Sequence, residues 1–207
     1  MGTNRLESFS DGVIAVAITL LVLGFTVPVI GAHGSLVRAL ARNWPEDAAY
    51  VISFMTIGII WINHHVMISR LRMADHTILI LNLLLLMSIG ILPFATALMA
   101  SYLRQSNGQD VAAAVYSGAF LLMSIMFILL NRHILLRKSH MLDVQIPIQQ
   151  RRRILVRSGT GLLPYVIATP LAFISPYVTL AICAAVAVYY AFPAAGGVDR
   201  GSAAPEL

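Results

Sequence analysis

Long apolar runs, separated by short charged segments, constrain this chain more than any other feature. About 20 consecutive apolar residues cross the hydrocarbon core of a bilayer at a rise of about 1.5 Å each. Six runs approach or reach that length: about Ser8–Pro28, Asp47–Met67, Thr77–Ala100, Val111–Leu130, Ser158–Ile174 and Pro176–Phe192. A helix satisfies its own backbone groups over such a stretch, so the pattern reads as an all-α membrane protein with six transmembrane helices. A β-barrel would show short alternating segments instead. With 58% hydrophobic and 11% charged residues, the chain is too poor in charge for a soluble domain. Pro93 predicts a kink in the third span, and Pro164 and Pro170 a bend in the fifth. Ser175-Pro176 marks the turn between the last two. Residues 1–193 read as one six-span domain, and the Ala-, Gly- and Pro-rich residues 194–207 as a disordered tail.

Charge sets the expected orientation. Of the fourteen Lys and Arg, only Arg38, Arg42 and Arg104 fall on the outer side when the N-terminus is placed inside. The positive-inside rule therefore puts both termini in the cytoplasm. The segment Arg132–Arg157 reads as a long inner loop, its Arg151-Arg152-Arg153 run anchoring to anionic head groups or serving a ligand. The outer segment His33–Trp44 places Leu36 and Leu40 on one face of a short amphipathic turn. The net charge of +5 is explained by these loops, and no nucleic-acid motif accompanies it. Cys183 is the single cysteine, so no intrachain disulfide forms. The head of the chain lacks the features of a cleavable signal peptide.

The first span departs from a plain anchor. At helical period, Ser8, Asp11, Ala15, Thr19, Val22 and Thr26 share one stripe, small or polar for most of its length. Phe9, Gly12, Val16, Leu20 and Leu23 form the stripe beside it. Such a face serves either close helix packing or the wall of a pore. The second span carries Trp61, Asn63, His64 and His65 near its inner end, and the third carries Asn82, at depths similar to that of Asp11. A carboxylate at that depth needs donors, and Arg5, the histidines, Trp61 and Asn82 supply them. The group reads as a polar knot, a proton relay or a metal site. Adjacent helical residues point about 100° apart, so His64 and His65 do not readily share one ion, and no metal is expected. Asp75 reads as the N-cap of the third span. There is no metalloprotease, serine-hydrolase or Walker motif, and the chain is not expected to be an enzyme. TVGYG is absent, so no carbonyl-lined potassium filter of that type is present.

Arg5-x-x-x-Phe9-Ser10-Asp11 followed by GVIAVAITLLVL resembles the signature of the transmembrane-protein-175 family of potassium channels. Ser53-Phe54, Trp61-x-x-His64-His65, Asn82 with its leucines, and Pro93-Phe94 extend the resemblance over roughly the first two-thirds of the chain. It implies six spans per subunit, a homotetramer, and a pore lined by the first helix without a reentrant filter. It implies a hydrogen-bond network of Arg5, Phe9, Ser10, Asp11, Trp61, His64, His65 and Asn82, in which the role of His65 is open. It also places a constriction at Val16, Thr19, Leu20 and Leu23, which helical spacing permits on one face. Family members commonly carry a larger residue where Val16 stands.

The expected function is a potassium channel, modestly selective over sodium, in the plasma membrane of a prokaryote. It needs no cofactor besides the permeant ion. A proton-coupled transporter using Asp11 and His64/His65 as a relay is the alternative. An intramembrane metal enzyme built on His64, His65 and His76 is a third reading.

Overall fold

The computed structural model describes residues 3–25, 35–105, 107–143 and 145–192. The expected tail at 194–207, and Thr26, Pro28 and His33, lie outside the described residues. Among those described, eight α-helices follow in order: α1 (Thr3–Leu20), α2 (Leu36–Arg42), α3 (Trp44–Ile68), α4 (His76–Tyr102), α5 (Gln109–Arg132), α6 (Ile148–Thr160), α7 (Leu163–Leu171) and α8 (Pro176–Ala191).

Local sequence sets the helix starts. Pro45, Glu46 and Asp47 occupy the first turn of α3, where a missing N–H and negative charge both suit the helix dipole. Asp75 caps α4 by accepting the Ile78 N–H, as its sequence position suggested. Ser175 caps α8 and Pro176 opens it. Gly108, at φ +84°, turns the chain into α5 in the left-handed region that glycine enters without strain. The helix α4 runs unbroken through Pro93.

The hub of the bundle is α4, which packs against α1, α3 and α5, while α7 and α8 close over α5 and α3. Midway along the core, Ser53 bonds Thr96 at 2.8 Å and Tyr116 at 3.1 Å, tying α3, α4 and α5 through hydroxyls. Tyr116 meets Phe120 edge-on, and Phe120 stacks on Tyr165 of α7. Thr179 donates to the Ala168 carbonyl and joins α8 to α7.

Among the described residues, five segments are long and apolar enough to cross a membrane, and the chain is a multi-pass membrane protein. The fifth segment differs from expectation. The part of Arg132–Arg157 read as loop is largely helical: α5 continues as a π-helical turn over His133–Arg137, and α6 begins at Ile148. Gln and Arg are good helix formers, so a charged face there is compatible with a helix. The run then breaks between Thr160 and Leu163, where Gly161 and Leu162 separate α6 from α7. With nine residues, α7 spans only about 13 Å on its own, and crosses only as the end of Ile148–Leu171. The last helix, α8, has 16 residues and reaches about 24 Å, short of a full core thickness.

One end of the bundle gathers the turns after α3 and α5. Arg72 N–H donates to Met141 O and Asp143 N–H to Arg70 O across the bridge between Leu71 and Leu142. Lys138 Nζ meets Asp75 there at 2.8 Å. That lysine and the Ile78 N–H hold the Asp75 carboxyl below the ordinary carboxylate range. At the other end, Arg104 donates to the Arg42 carbonyl and Trp44 stacks on Tyr177. There α2 presents Leu36 and Leu40 to the outside.

Candidate functional site

Two parallel rungs join α1 to α3. His65 Nδ1 lies 2.7 Å from Glu7 Oε1, and Trp61 Nε1 donates to Asp11 Oδ1 at 2.8 Å. Glu7 and Asp11 are four residues apart on α1, and Trp61 and His65 four apart on α3, so each pair shares a helix face. The order reverses between the helices, which therefore run antiparallel. The two rings of the α3 face lie with centroids 6.3 Å apart. Asp11 is half-buried, while His65 and Trp61 are exposed in the single chain.

Behind these rungs lies a buried chain of neutral groups. Asn82 Nδ2 donates to Ser10 Oγ at 2.9 Å, and Ser10 Oγ donates to the Leu6 carbonyl at 2.8 Å. His64 Nε2 lies 2.7 Å from Asn82 Oδ1. An amide oxygen accepts only, so His64 donates from Nε2. Its Nδ1 has no hydrogen-bond partner among the described residues. Ser10, His64 and Asn82 are all 0% exposed, so every unmade bond here carries its full desolvation cost.

The two histidines thus part company. His64 turns inward to Asn82 and His65 outward to Glu7, as the 100° step between neighbours requires. Arg5 and Phe9 stand apart from both groups. Arg5 is exposed and forms no ion pair among the described residues, and Phe9 is 53% exposed. The reason is angular: six residues separate Arg5 from Asp11, which places them a third of a turn apart on α1. Asp11 is accordingly not the fully buried carboxylate that its position in the span suggested.

Val16, Leu20 and Leu23 are 56%, 42% and 76% exposed, and Thr19 is exposed beside them. The opposite face, Leu6, Ser10, Ile14, Ala17 and Leu21, is buried against the bundle. The chain tightens to a 3₁₀ turn over Leu21–Gly24. A 3₁₀ step of about 120° in place of 100° carries Leu23 round until it lies nearly above Leu20. Thr19 Oγ1 donates to the Val16 carbonyl at 2.8 Å, so its remaining lone pairs are free to face outward.

Glu7 is the residue that sequence reasoning passed over. Its signal was present, since it precedes Asp11 by one helical turn. Glu7, Asp11 and His65 each bring a ligand atom within 4.8 Å of the others, an arrangement able to hold a metal ion. The third reading's grouping of His64, His65 and His76 does not form among the described residues: His64 is committed to Asn82, and His76 begins α4.

The sequence profile described as endosomal/lysosomal potassium channel TMEM175 matches residues 5–93. A Streptomyces collinus protein named a potassium channel is 42% identical over 203 residues, 98% of each chain. One from Chamaesiphon minutus, also named a potassium channel, is 39% identical and covers 91% of this chain and 93% of its own. A human protein named an endosomal/lysosomal proton channel is 31% identical over 84% of this chain and 36% of its own. The fold matches the crystal structure of a lysosomal potassium-selective channel TMEM175 homolog from Chamaesiphon minutus. The TM-score is 0.79 at 37% identity, covering 91% of this chain and 96% of the other. The chain belongs to the TMEM175 family.

Proposed function

We propose that this chain forms a potassium channel, as a homotetramer around a pore lined by α1. The observation that carries the reading is the open face of α1. This helix is the least buried of the first four spans, yet its free side bears Ser8, Gly12, Ala15 and Thr19 among Val16, Leu20 and Leu23. Lipid alone gives hydroxyls and small residues no role on such a face. Four copies around an axis enclose a hole that one helix cannot. The names of the bacterial relatives and the potassium selectivity of the structural neighbour support the choice of ion.

In this reading Val16, Leu20 and Leu23 form apolar rings that exclude water and ions when narrow, and conduct when slightly dilated. No TVGYG filter is present, so selectivity rests on the cost of partial dehydration. Potassium releases water more cheaply than sodium, and the outward lone pairs of Thr19 offset part of that cost. The preference is therefore modest. The trio Ser10, Asn82 and His64, with the rung Trp61–Asp11, holds α1 on the bundle. Both termini lie in the cytoplasm of a prokaryotic cell, and the basic turns at the Glu7 end face anionic lipid. The chemistry needs no cofactor. The test is potassium flux from liposomes containing the purified protein. Leu23→Ala and Val16→Ala should raise it, and unchanged flux in both would refute the pore assignment.

The proton-channel names of animal relatives favour a second reading, in which protons pass. A relay through Asp11, His64 and His65 gains little from the geometry, because His64 bonds Asn82 while His65 bonds Glu7. Dissipation of a pH gradient under a clamped potassium potential separates the two.

A further inference from the structure

We infer that Glu7, Asp11 and His65 form a binding site for one divalent transition-metal ion of the zinc type, tying the start of α1 to the end of α3. The ligand atoms of the three side chains already lie within 4.8 Å of one another. A tetrahedral ion with bonds of about 2.0–2.2 Å sets its ligand atoms about 3.4 Å apart. The 2.7 Å pair of His65 Nδ1 and Glu7 Oε1 must therefore open a little and any wider pair close, an adjustment within the reach of side-chain rotation. Two carboxylates one turn apart on α1 repel each other. Among the described residues, the groups bonded to them are a neutral indole N–H and His65, with His64 close behind, and Arg5 pairs with neither carboxylate. Glu7 Oε2 and Asp11 Oδ2 have no partner among the described residues.

The donor set selects the ion. One imidazole nitrogen with two carboxylate oxygens suits zinc, cobalt or nickel, whereas magnesium and calcium favour all-oxygen shells. Three protein ligands leave a fourth position for water, and His65 is exposed enough to admit it. An entering ion replaces the proton that His65 Nδ1 shares with Glu7. Trp61 Nε1, bonded to Asp11 Oδ1, keeps that carboxylate aimed at the site, as outer partners of metal ligands do. A bound ion pins α1 to α3 at the foot of the helix assigned to the pore, so occupancy should hold α1 still and suppress flux. The binding site stands on the geometry of this chain. The suppression rests on the pore reading.

The experiment uses tag-free, full-length protein in nanodiscs, titrated with zinc by calorimetry and with cobalt by visible absorption. One equivalent of zinc per chain should bind, and cobalt should give the intense bands of a tetrahedral complex. His65→Gln and Glu7→Gln should each weaken zinc binding ~10-fold or more, and His140→Gln should leave it unchanged. Millimolar magnesium should not compete. Binding that is absent, unaffected by both variants, or lost equally in His140→Gln overturns the site. Potassium flux is measured in the same preparations. Zinc should reduce it in the unaltered protein, chelation should restore it, and His65→Gln should abolish the response. Stoichiometric binding without any effect on flux overturns the clamp. Metal-free protein without flux would defeat the pore reading and leave the binding result intact.

Discussion

Trp61 Nε1 donates to Asp11 Oδ1 at 2.8 Å, joining side chains fifty positions apart across α3 and α1. Because the donor is neutral and the acceptor half-buried, the bond rather than the charge holds these helices together. Trp61→Phe keeps most of the ring and removes the N–H. It should cost about 1–2 kcal/mol, the range for a bond to a charged group reduced by water access. Asp11→Asn retains an oxygen acceptor and leaves no buried cation unpaired, since Arg5 is not its partner. It should cost less than Trp61→Phe. Thermal unfolding of the two variants in detergent checks the order, and the reverse order would show that the charge dominates.

Asn82 should be far less tolerant. It is fully buried and serves both His64 and Ser10. Asn82→Leu leaves the His64 N–H without an acceptor in a dry environment, at about 2–3 kcal/mol. Ser10 keeps its bond to the Leu6 carbonyl and adds little. Replacing His64 by Leu as well removes the stranded group, so the double variant should be less damaged than the sum of the singles. A thermal-stability cycle over the four proteins measures this, and strict additivity would mean the pair is not coupled.

The same residues show how far the sequence could be read. The positions of α1, α3, α4 and α5 follow from apolar runs, because only a helix hides its backbone in lipid. Asp75 was legible as a cap because a short acceptor before an apolar run has few other uses. The α6 segment was not legible as a helix. Arg151, Arg152, Arg153 and Arg157 look like loop charge when position along the chain is the only guide, although they sit on regular helix. Depth along the spans grouped His64 and Asn82, but Ser10 joined them only through family resemblance, since nothing local in the sequence says which spans pack together. Glu7 could be placed one turn before Asp11, but its role could not be read. Its value depends on His65, and that pairing exists only once α1 and α3 run antiparallel side by side.

Acid should weaken the turn between α3 and α4. Asp75 accepts the Ile78 N–H and meets Lys138, and both contacts hold its carboxyl below the ordinary range. The unfolded chain therefore takes up the proton first as pH falls. The contribution to stability is complete at neutral pH, declines below about pH 4, and is lost once the folded carboxyl is protonated. Lys138→Met should flatten this acid dependence and cost little at pH 7, about 0.5 kcal/mol for a partly exposed pair near the surface. Asp75→Ala also removes the cap and should cost about 1 kcal/mol. Unfolding midpoints between pH 3 and pH 7 test both, and an unchanged acid slope in Lys138→Met would discount the ion pair.

Thr19 offers the sharpest test of ion preference. Its hydroxyl proton is engaged by the Val16 carbonyl on its own helix, so the oxygen presents only lone pairs to whatever lies outside. In the proposed pore, four such oxygens meet a partly dehydrated cation between the rings of Val16 and Leu20. Thr19→Val keeps the shape of the side chain and removes the oxygen. Both ions lose a ligand, but the bare ring then passes whichever ion tolerates apolar contact. A loss of about 1 kcal/mol in differential stabilisation lowers the potassium-to-sodium permeability ratio about fivefold. Thr19→Ser keeps the oxygen and should retain most of the ratio, which separates the hydroxyl from a simple change of width. Reversal potentials in planar bilayers under opposed potassium and sodium gradients measure it. Equal ratios for Thr19→Val and the unaltered chain would remove Thr19 from the selectivity mechanism and leave dehydration at the apolar rings as its sole source.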